Sequence, residues 1–287
     1  MKDLVSCLFE TKALKVSPED NPFWYTSGKL GPYYINTHFL YGGEEKANEL
    51  LSLIDAAKED MINCPKAVFD KVLENYKTDE NFKKVVDITV DYIKTNIDLS
   101  EFEYVSGGER RDWFFSMIVA HILKKPHITI YKDLQTVSSD CNFDKTDEVK
   151  DLNSAKVLHV ADLITVASSY ERAWIPAIHN LNADIVSSVS IVDRLQGGKE
   201  ILNAAGIDSH SLINIDKDLF NLAEQQGLIN KEQHNIISDY IDDPDGAMKK
   251  FIQKHPDFLQ NELDGTNPKN AERAKLCIES NFYGNNG

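Results

Sequence analysis

The chain has 287 residues, enough for one large domain or a core domain with a substantial addition. Hydrophobic residues make up 42% and charged residues 27%, and with 14 Gly and 9 Pro the composition is globular and excludes a linker-rich or collagen-like chain. Against 31 basic residues stand 46 acidic ones, and the net charge of -15 makes nucleic acid an unexpected partner.

The opening stretch MKDLVSCLFETKALK carries charges through its apolar positions and has no signal-peptide core. No run approaches the ~20 apolar residues that span a bilayer. Cys7, Cys64, Cys141 and Cys277 lie far apart with no CxxC pair, so structural thiols in a reducing compartment are expected. These features together read as a soluble cytoplasmic protein.

Residues 1–100 carry a Lys-, Glu- and Asn-rich helical pattern, interrupted by an aromatic stretch at 22–43. FEYVS (102–106) is a short apolar run ending at Gly107-Gly108, and RDWFFSMIVAHILKK (111–125) predicts a buried helix closed by Pro126. HITIY (127–131), KVLHVA (156–161) and DIVSSVSIV (184–192) read as strands. Residues 132–150 are polar and loop-like, and SSYERAWIPAIHNLN (168–182) is helical with a kink expected at Pro176. Residues 200–287 return to polar helices joined by acidic turns. Strand–helix–strand units imply an α/β domain around a parallel sheet, with right-handed crossovers.

Ligands in such sheets bind beyond the carboxyl ends of the strands. Four polar segments fall there: Gly107–Asp112, Tyr131–Gln135, Asp162–Ser169 and Asp193–Gly198. In VLHVADLITVASSYERA (157–173) a strand runs through an acid into a hydroxyl-rich loop and a helix start. Such a loop presents backbone N–H groups to an anion, with Thr165, Ser168 and Ser169 adding hydroxyls. A plain helix cap at Ser168 or Ser169 is the competing reading.

This pattern resembles the phosphoribosyl-pyrophosphate signature of type I phosphoribosyltransferases. SGKLGPYYIN (27–36), SGGERRDWFFS (106–116) and VDRLQGG (192–198) are similar, in family order, to three further signatures of the orotate phosphoribosyltransferases. The resemblance implies a parallel-sheet core with an N-terminal hood over residues 1–199, including a helical insertion at about 45–100, and a helical extension at 200–287. It implies transfer of ribose 5-phosphate from phosphoribosyl pyrophosphate to a pyrimidine base, orotate. Arg110, Arg111, Asp162 and Lys132 would be catalytic. Asp162, Thr165, Ser168, Ser169, Gly107 and Gly108 would bind the phosphoribosyl and phosphate groups, and Arg194, Tyr33, Tyr34 and Asn36 the base. Mg²⁺ would be bound through the substrate, with no protein side chain assigned to it. A lid at 132–150 from a neighbouring subunit would make the protein a homodimer.

The chain departs from the family pattern at several points. Ala161 stands where the first of two acids is usual, Val166-Ala167-Ser168 replaces the glycine-bearing stretch, Gln135 aligns with the lid lysine, and Thr26 replaces a lysine. Lys132 and Lys145 are the nearby cations. These departures keep open a second reading, a non-catalytic or altered-specificity protein on the same fold that binds a nucleotide or phosphoribosyl ligand. Trp24, Trp113 and Trp174 read as packing residues, and the eight histidines show no metal-binding spacing.

Overall fold

The computed structural model describes residues 2–284. The chain divides into two compact units: one holds the residues up to Ala13 together with Asn36–Ile215, the other Leu14–Ile35 and the chain from Asp216 onward. In chain order, helix α1 (Lys2–Glu10) precedes four short strands, β1 (Leu14–Val16), β2 (Phe23–Trp24), β3 (Leu30–Gly31) and β4 (Tyr33–Ile35). A 3-10 turn over Thr37–Tyr41 leads into three helices, α2 (Glu44–Ala57), α3 (Cys64–Thr78) and α4 (Glu80–Asn96). Pro65 sits in the first turn of α3, where its missing N–H costs nothing. The Asp79 side chain caps α4 by accepting from the Phe82 N–H.

The first unit is built on a seven-stranded sheet. Its members are β5 (Tyr104–Gly108), β6 (His127–Ile130), β7 (Thr136–Ser139), β8 (Thr146–Glu148), β9 (Ala155–Ile164), β10 (Ala183–Asp193) and β11 (Asp208–Asn214), in the order β11-β10-β9-β5-β6-β7-β8. β11, β10, β9, β5 and β6 run parallel, and β7 and β8 add an antiparallel edge. Helix α5 (Trp113–Leu123) is apolar almost all round and buried over most of its length, as a helix must be when it packs on a sheet and under other helices. Burying each large side chain there, Trp113, Phe114 and Phe115 among them, contributes about 1.5–3 kcal/mol.

The structure corrects the sequence reading in four places. The core does not stop at 199: α7 (Gly198–Ala204) and β11 complete the sheet up to Ile215. β11 was unreadable because its run DSHSLIN is polar, as befits an edge strand. The segment 132–150 is no free loop but holds β7 and β8, and Phe143 between them is buried and stacked on Phe69 at 4.3 Å. The helix expected over 168–182 is not a uniform α-helix and ends at His179: a π-helical turn (Tyr170–Trp174) is followed by the short α6 (Ile175–His179), with Pro176 in its first turn.

The fourth correction concerns the N-terminal hood. Residues 14–35 do not group with the core but with α8 (Lys217–Gln225), α9 (Lys231–Asp242), α10 (Pro244–Lys254), α11 (Phe258–Asp264) and α12 (Pro268–Glu279). In this second unit β1 pairs with β4 and β2 with β3, both antiparallel. Trp24 and Leu30 are buried with Met248, Ile252, Leu259 and Cys277. The Trp24 indole N–H donates to Glu262 at 3.0 Å, and the Leu30 N–H donates to the Tyr283 hydroxyl at 2.8 Å. Two-residue strands have no stability alone, so the apolar faces of the late helices hold them.

Candidate functional site

The chain runs β5 to β8 toward one edge of the sheet, then returns to lay β9, β10 and β11 on the other side of β5. The order therefore reverses between β5 and β9, the place where an open α/β sheet leaves a crevice. Those two strands are paired from Tyr104/Val157 to Ser106/His159 and then part. A cavity of about 870 Å³ opens at this end, lined by the loop after β5, the end of β9 and the turn after it, the β6–β7 turn, and the last turn of α2.

Asp162 lies inside β9, not in the loop beyond it, and its carboxylate accepts from the Thr37 hydroxyl at 2.7 Å. Burial pushes its pKa up to about 7; the Asp112 charge adds to the rise, while the Thr37 hydroxyl and Arg111 oppose it. The carboxylate of Asp112, itself buried, spans the gap between the diverging strands. One oxygen accepts from the Gly108 N–H and the other from the Asp162 N–H, each at 3.1 Å. Behind it lies His159, with Nε2 3.5 Å from Asp112 and Nδ1 2.9 Å from the Ser106 hydroxyl.

Beyond β9 the chain turns through Thr165, Val166, Ala167, Ser168 and Ser169 into the π-helical turn. Ala167 holds a left-handed backbone at φ 51°, so the turn that glycine usually serves is made here by alanine. Among the described residues, no acceptor pairs with the backbone N–H groups of Ala167, Ser168 or Ser169. Arg172 reaches back, its Nε donating to the Ser168 carbonyl at 3.1 Å, and it lines the same cavity. Two rungs brace this turn from VDRLQGG: Arg194 N–H to the Ile164 carbonyl at 3.0 Å and Gly198 N–H to the Thr165 carbonyl at 2.8 Å. A Cβ on Gly198 would sit 2.5 Å from that carbonyl, so this glycine serves the close approach.

The loop after β5 is held differently. Arg110 pairs with Asp55, and Asp55 also receives Lys58 at 3.1 Å. Lys58 reaches Glu109 at 3.3 Å, whose other oxygen accepts the Lys132 N–H at 3.0 Å. Arg111 is exposed and makes no ion pair among the described residues. The buried His38 stays neutral, its pKa lowered to about 4 by burial and by the two arginines. Five basic and five acidic side chains line the cavity, which is therefore balanced rather than cationic.

Of the residues singled out in the sequence, Arg110, Arg111, Lys132, Asp162, Thr165, Ser168 and Ser169 line this one cavity. Gly107 and Gly108 do not. They are buried in β5, where a Cβ would strike Ser116 and Trp174 at 2.1 and 2.2 Å, and the Gly108 N–H is already taken by Asp112. Arg194 contributes its backbone to the brace and does not line the cavity. Tyr33 and Tyr34 belong to the second unit, where Tyr33 packs on Phe220 and Tyr240, and Tyr34 on Phe23 and Tyr25. Asn36 precedes the turn that delivers Thr37, its N–H donating to the Ala13 carbonyl at 2.7 Å. Lys145 pairs with Asp147, away from the cavity, and the Gln135 amide is held by Asp133.

Sequence reasoning missed Asp55, Lys58, Glu109, Asp112 and Arg172. Asp55 and Lys58 come from a helix some fifty residues upstream of the loop they hold, and no local spacing announces that. Arg172 had a signal, since it lies one helical turn past Ser168.

No family model matches the chain. An adenine phosphoribosyltransferase of Pasteurella multocida (strain Pm70) is 24% identical over 180 residues, 58% of this chain and 97% of that protein. An orotate phosphoribosyltransferase of Staphylothermus marinus is 22% identical over 241 residues, 84% of this chain and 94% of that protein. The structure of Leishmania donovani UMP synthase superposes with a TM-score of 0.55 at 15% identity, over 84% of this chain but only 42% of that one. The fold is that of the type I phosphoribosyltransferases, and the sequence is similar to both orotate and adenine members.

Proposed function

We propose that the protein is a phosphoribosyltransferase that moves ribose 5-phosphate from phosphoribosyl pyrophosphate to a nitrogenous base, with orotate as acceptor. The observation that carries this reading is the single cavity at the β5/β9 fork. It combines, among the described residues, a turn with free N–H groups and hydroxyls, a buried acid, and an arginine without an ion pair.

In the proposed reaction the ribose C1–O bond breaks, diphosphate leaves with the electron pair, and a base nitrogen forms the new C1–N bond while its proton is released. The backbone N–H groups of 167–169 and the hydroxyls of Thr165, Ser168 and Ser169 receive the 5′-phosphate, with Arg172 beside them. Asp162 accepts from a ribose hydroxyl when ionised. Arg111 meets the leaving diphosphate, where charge develops in the transition state, and Lys132 stands near it. Among the described residues no cluster of three His, Cys, Asp or Glu could hold a resident ion. Magnesium enters the proposal with the donor, whose diphosphate oxygens are the hard ligands it prefers. A homodimer completes the proposal, by the resemblance alone.

The sequence similarity to an adenine phosphoribosyltransferase favours one alternative, a purine acceptor in the same reaction. The test is release of diphosphate from phosphoribosyl pyrophosphate with Mg²⁺ and either orotate or adenine, for the wild type and Arg111→Ala. Turnover with orotate and a large loss in the variant are expected. Turnover with adenine alone moves the acceptor. Donor binding without turnover on any base leaves a binding protein.

A further inference from the structure

The two strands that frame the cavity lose their mutual hydrogen bonds after Ser106/His159, yet β9 continues to Ile164 and β5 to Gly108. A buried backbone N–H without an acceptor is costly, so the fork needs something to receive the N–H groups that face it. One side chain does so for both strands. The two oxygens of Asp112 each take one N–H, from Gly108 and from Asp162. The carboxylate thus substitutes for a missing rung between two strands that have already separated. Asp112 also begins α5, where the helix dipole favours its charge.

We propose that Asp112 is a positioning residue for the proposed transfer, fixing the loop that carries Arg110 and Arg111 at a set distance from the strand that carries Asp162. This rests on the transferase reading for its chemistry, though not for its geometry. The clamp joins the diphosphate side of the cavity to the ribose side, and misplacement of the two ends would act on the chemical step more than on binding.

The electrostatics agree with that arrangement. Asp162 is faced by Asp112, which disfavours its ionisation, and by the Thr37 hydroxyl, Arg111 and the Leu163 N–H, which favour it; Tyr170 is packed nearby. Asp112 is faced by His159 at 3.5 Å as well as by the two N–H groups. Removing the Asp112 charge leaves Asp162 with its favourable partners and one fewer opposing group, so Asp162 should ionise at lower pH.

The experiment uses the full chain as Asp112→Ala and Asp112→Asn, each checked for wild-type circular dichroism. In Asp112→Ala, amide exchange at both Gly108 and Asp162 should rise at least tenfold while Val160 stays unchanged. Asp112→Asn keeps one acceptor oxygen and should deprotect only one of the two amides. Turnover should fall tenfold or more in Asp112→Ala, with the donor KM changed less than threefold. The carboxyl carbon of Asp162 should titrate at least one pH unit lower in Asp112→Asn. Retained protection at both amides in folded Asp112→Ala overturns the clamp, and a loss confined to KM overturns the positioning role. A wild type that consumes no donor defeats the transferase reading instead, and amide exchange then still decides the clamp.

Discussion

Two loops border the same cavity and are built on opposite terms. Among the described residues, the turn after β9 leaves donors open: three backbone N–H groups and three hydroxyls, with Arg172 alongside. The loop after β5 carries two arginines, but Asp55 already engages Arg110, and Lys58, Glu109 and the Lys132 N–H extend that chain of charges. One loop is prepared for an anion, and the other must exchange internal partners for it or rely on Arg111. Charge number therefore says little here. What matters is which charges are already neutralised, since a cation held by a nearby carboxylate offers only the difference between two ion pairs.

The contrast can be broken most sharply at the arginines. Arg111→Ala should reduce kcat/KM for the donor about 100-fold, roughly 2.7 kcal/mol of transition-state stabilisation, while Arg110→Ala should cost less than about fivefold. Equal losses in steady-state assays would show that Asp55 does not hold Arg110 back. The reverse manipulation comes next. Asp55→Asn should release Arg110 and tighten Mg²⁺–pyrophosphate binding about three- to tenfold by calorimetric titration.

A smaller effect follows from Asp162. Its pKa is raised in the folded protein, so the folded state binds the proton more tightly than the unfolded chain does. The stability this brings is full below about pH 4, the ordinary carboxylate range, and is lost as pH rises through about 7. Asp162→Asn should remove that slope, gaining melting temperature relative to wild type at pH 8 and little at pH 5. The smallest effect belongs to Ala167. Replacing it by glycine relieves about 1–2 kcal/mol of left-handed strain but raises unfolded-chain entropy by about 0.5–1 kcal/mol. A rise of one or two degrees in thermal melting is expected.

Much of the fold was legible. The β-branched runs at 127–131, 156–161 and 184–192 and the apolar 111–125 segment are strongly patterned, and each forms its expected strand or helix. The polar β11 and the edge pair β7–β8 were not legible, because an edge strand needs little hydrophobic signal once its neighbour supplies the ladder. At the site, motif order brought Arg111, Asp162 and the 165–169 turn to one place. It misjudged Gly107 and Gly108, whose lack of a side chain makes room for Ser116 and Trp174. Tyr33 and Tyr34 pack their rings within the second unit.

The sequence by itself determined the α/β class, the strand that carries Asp162 and the hydroxyl-rich turn beyond it, because these depend on local periodicity and on residues close together in the chain. Only the tertiary structure decided which acid meets which base. Asp55 and Arg110 are far apart in sequence, as are Asp112 and Asp162, and their pairing depends on where separate strands and helices come to rest. Hydrophobic patterning places elements, but the balance of charge in a cavity is set by contacts between them, and no local pattern encodes those.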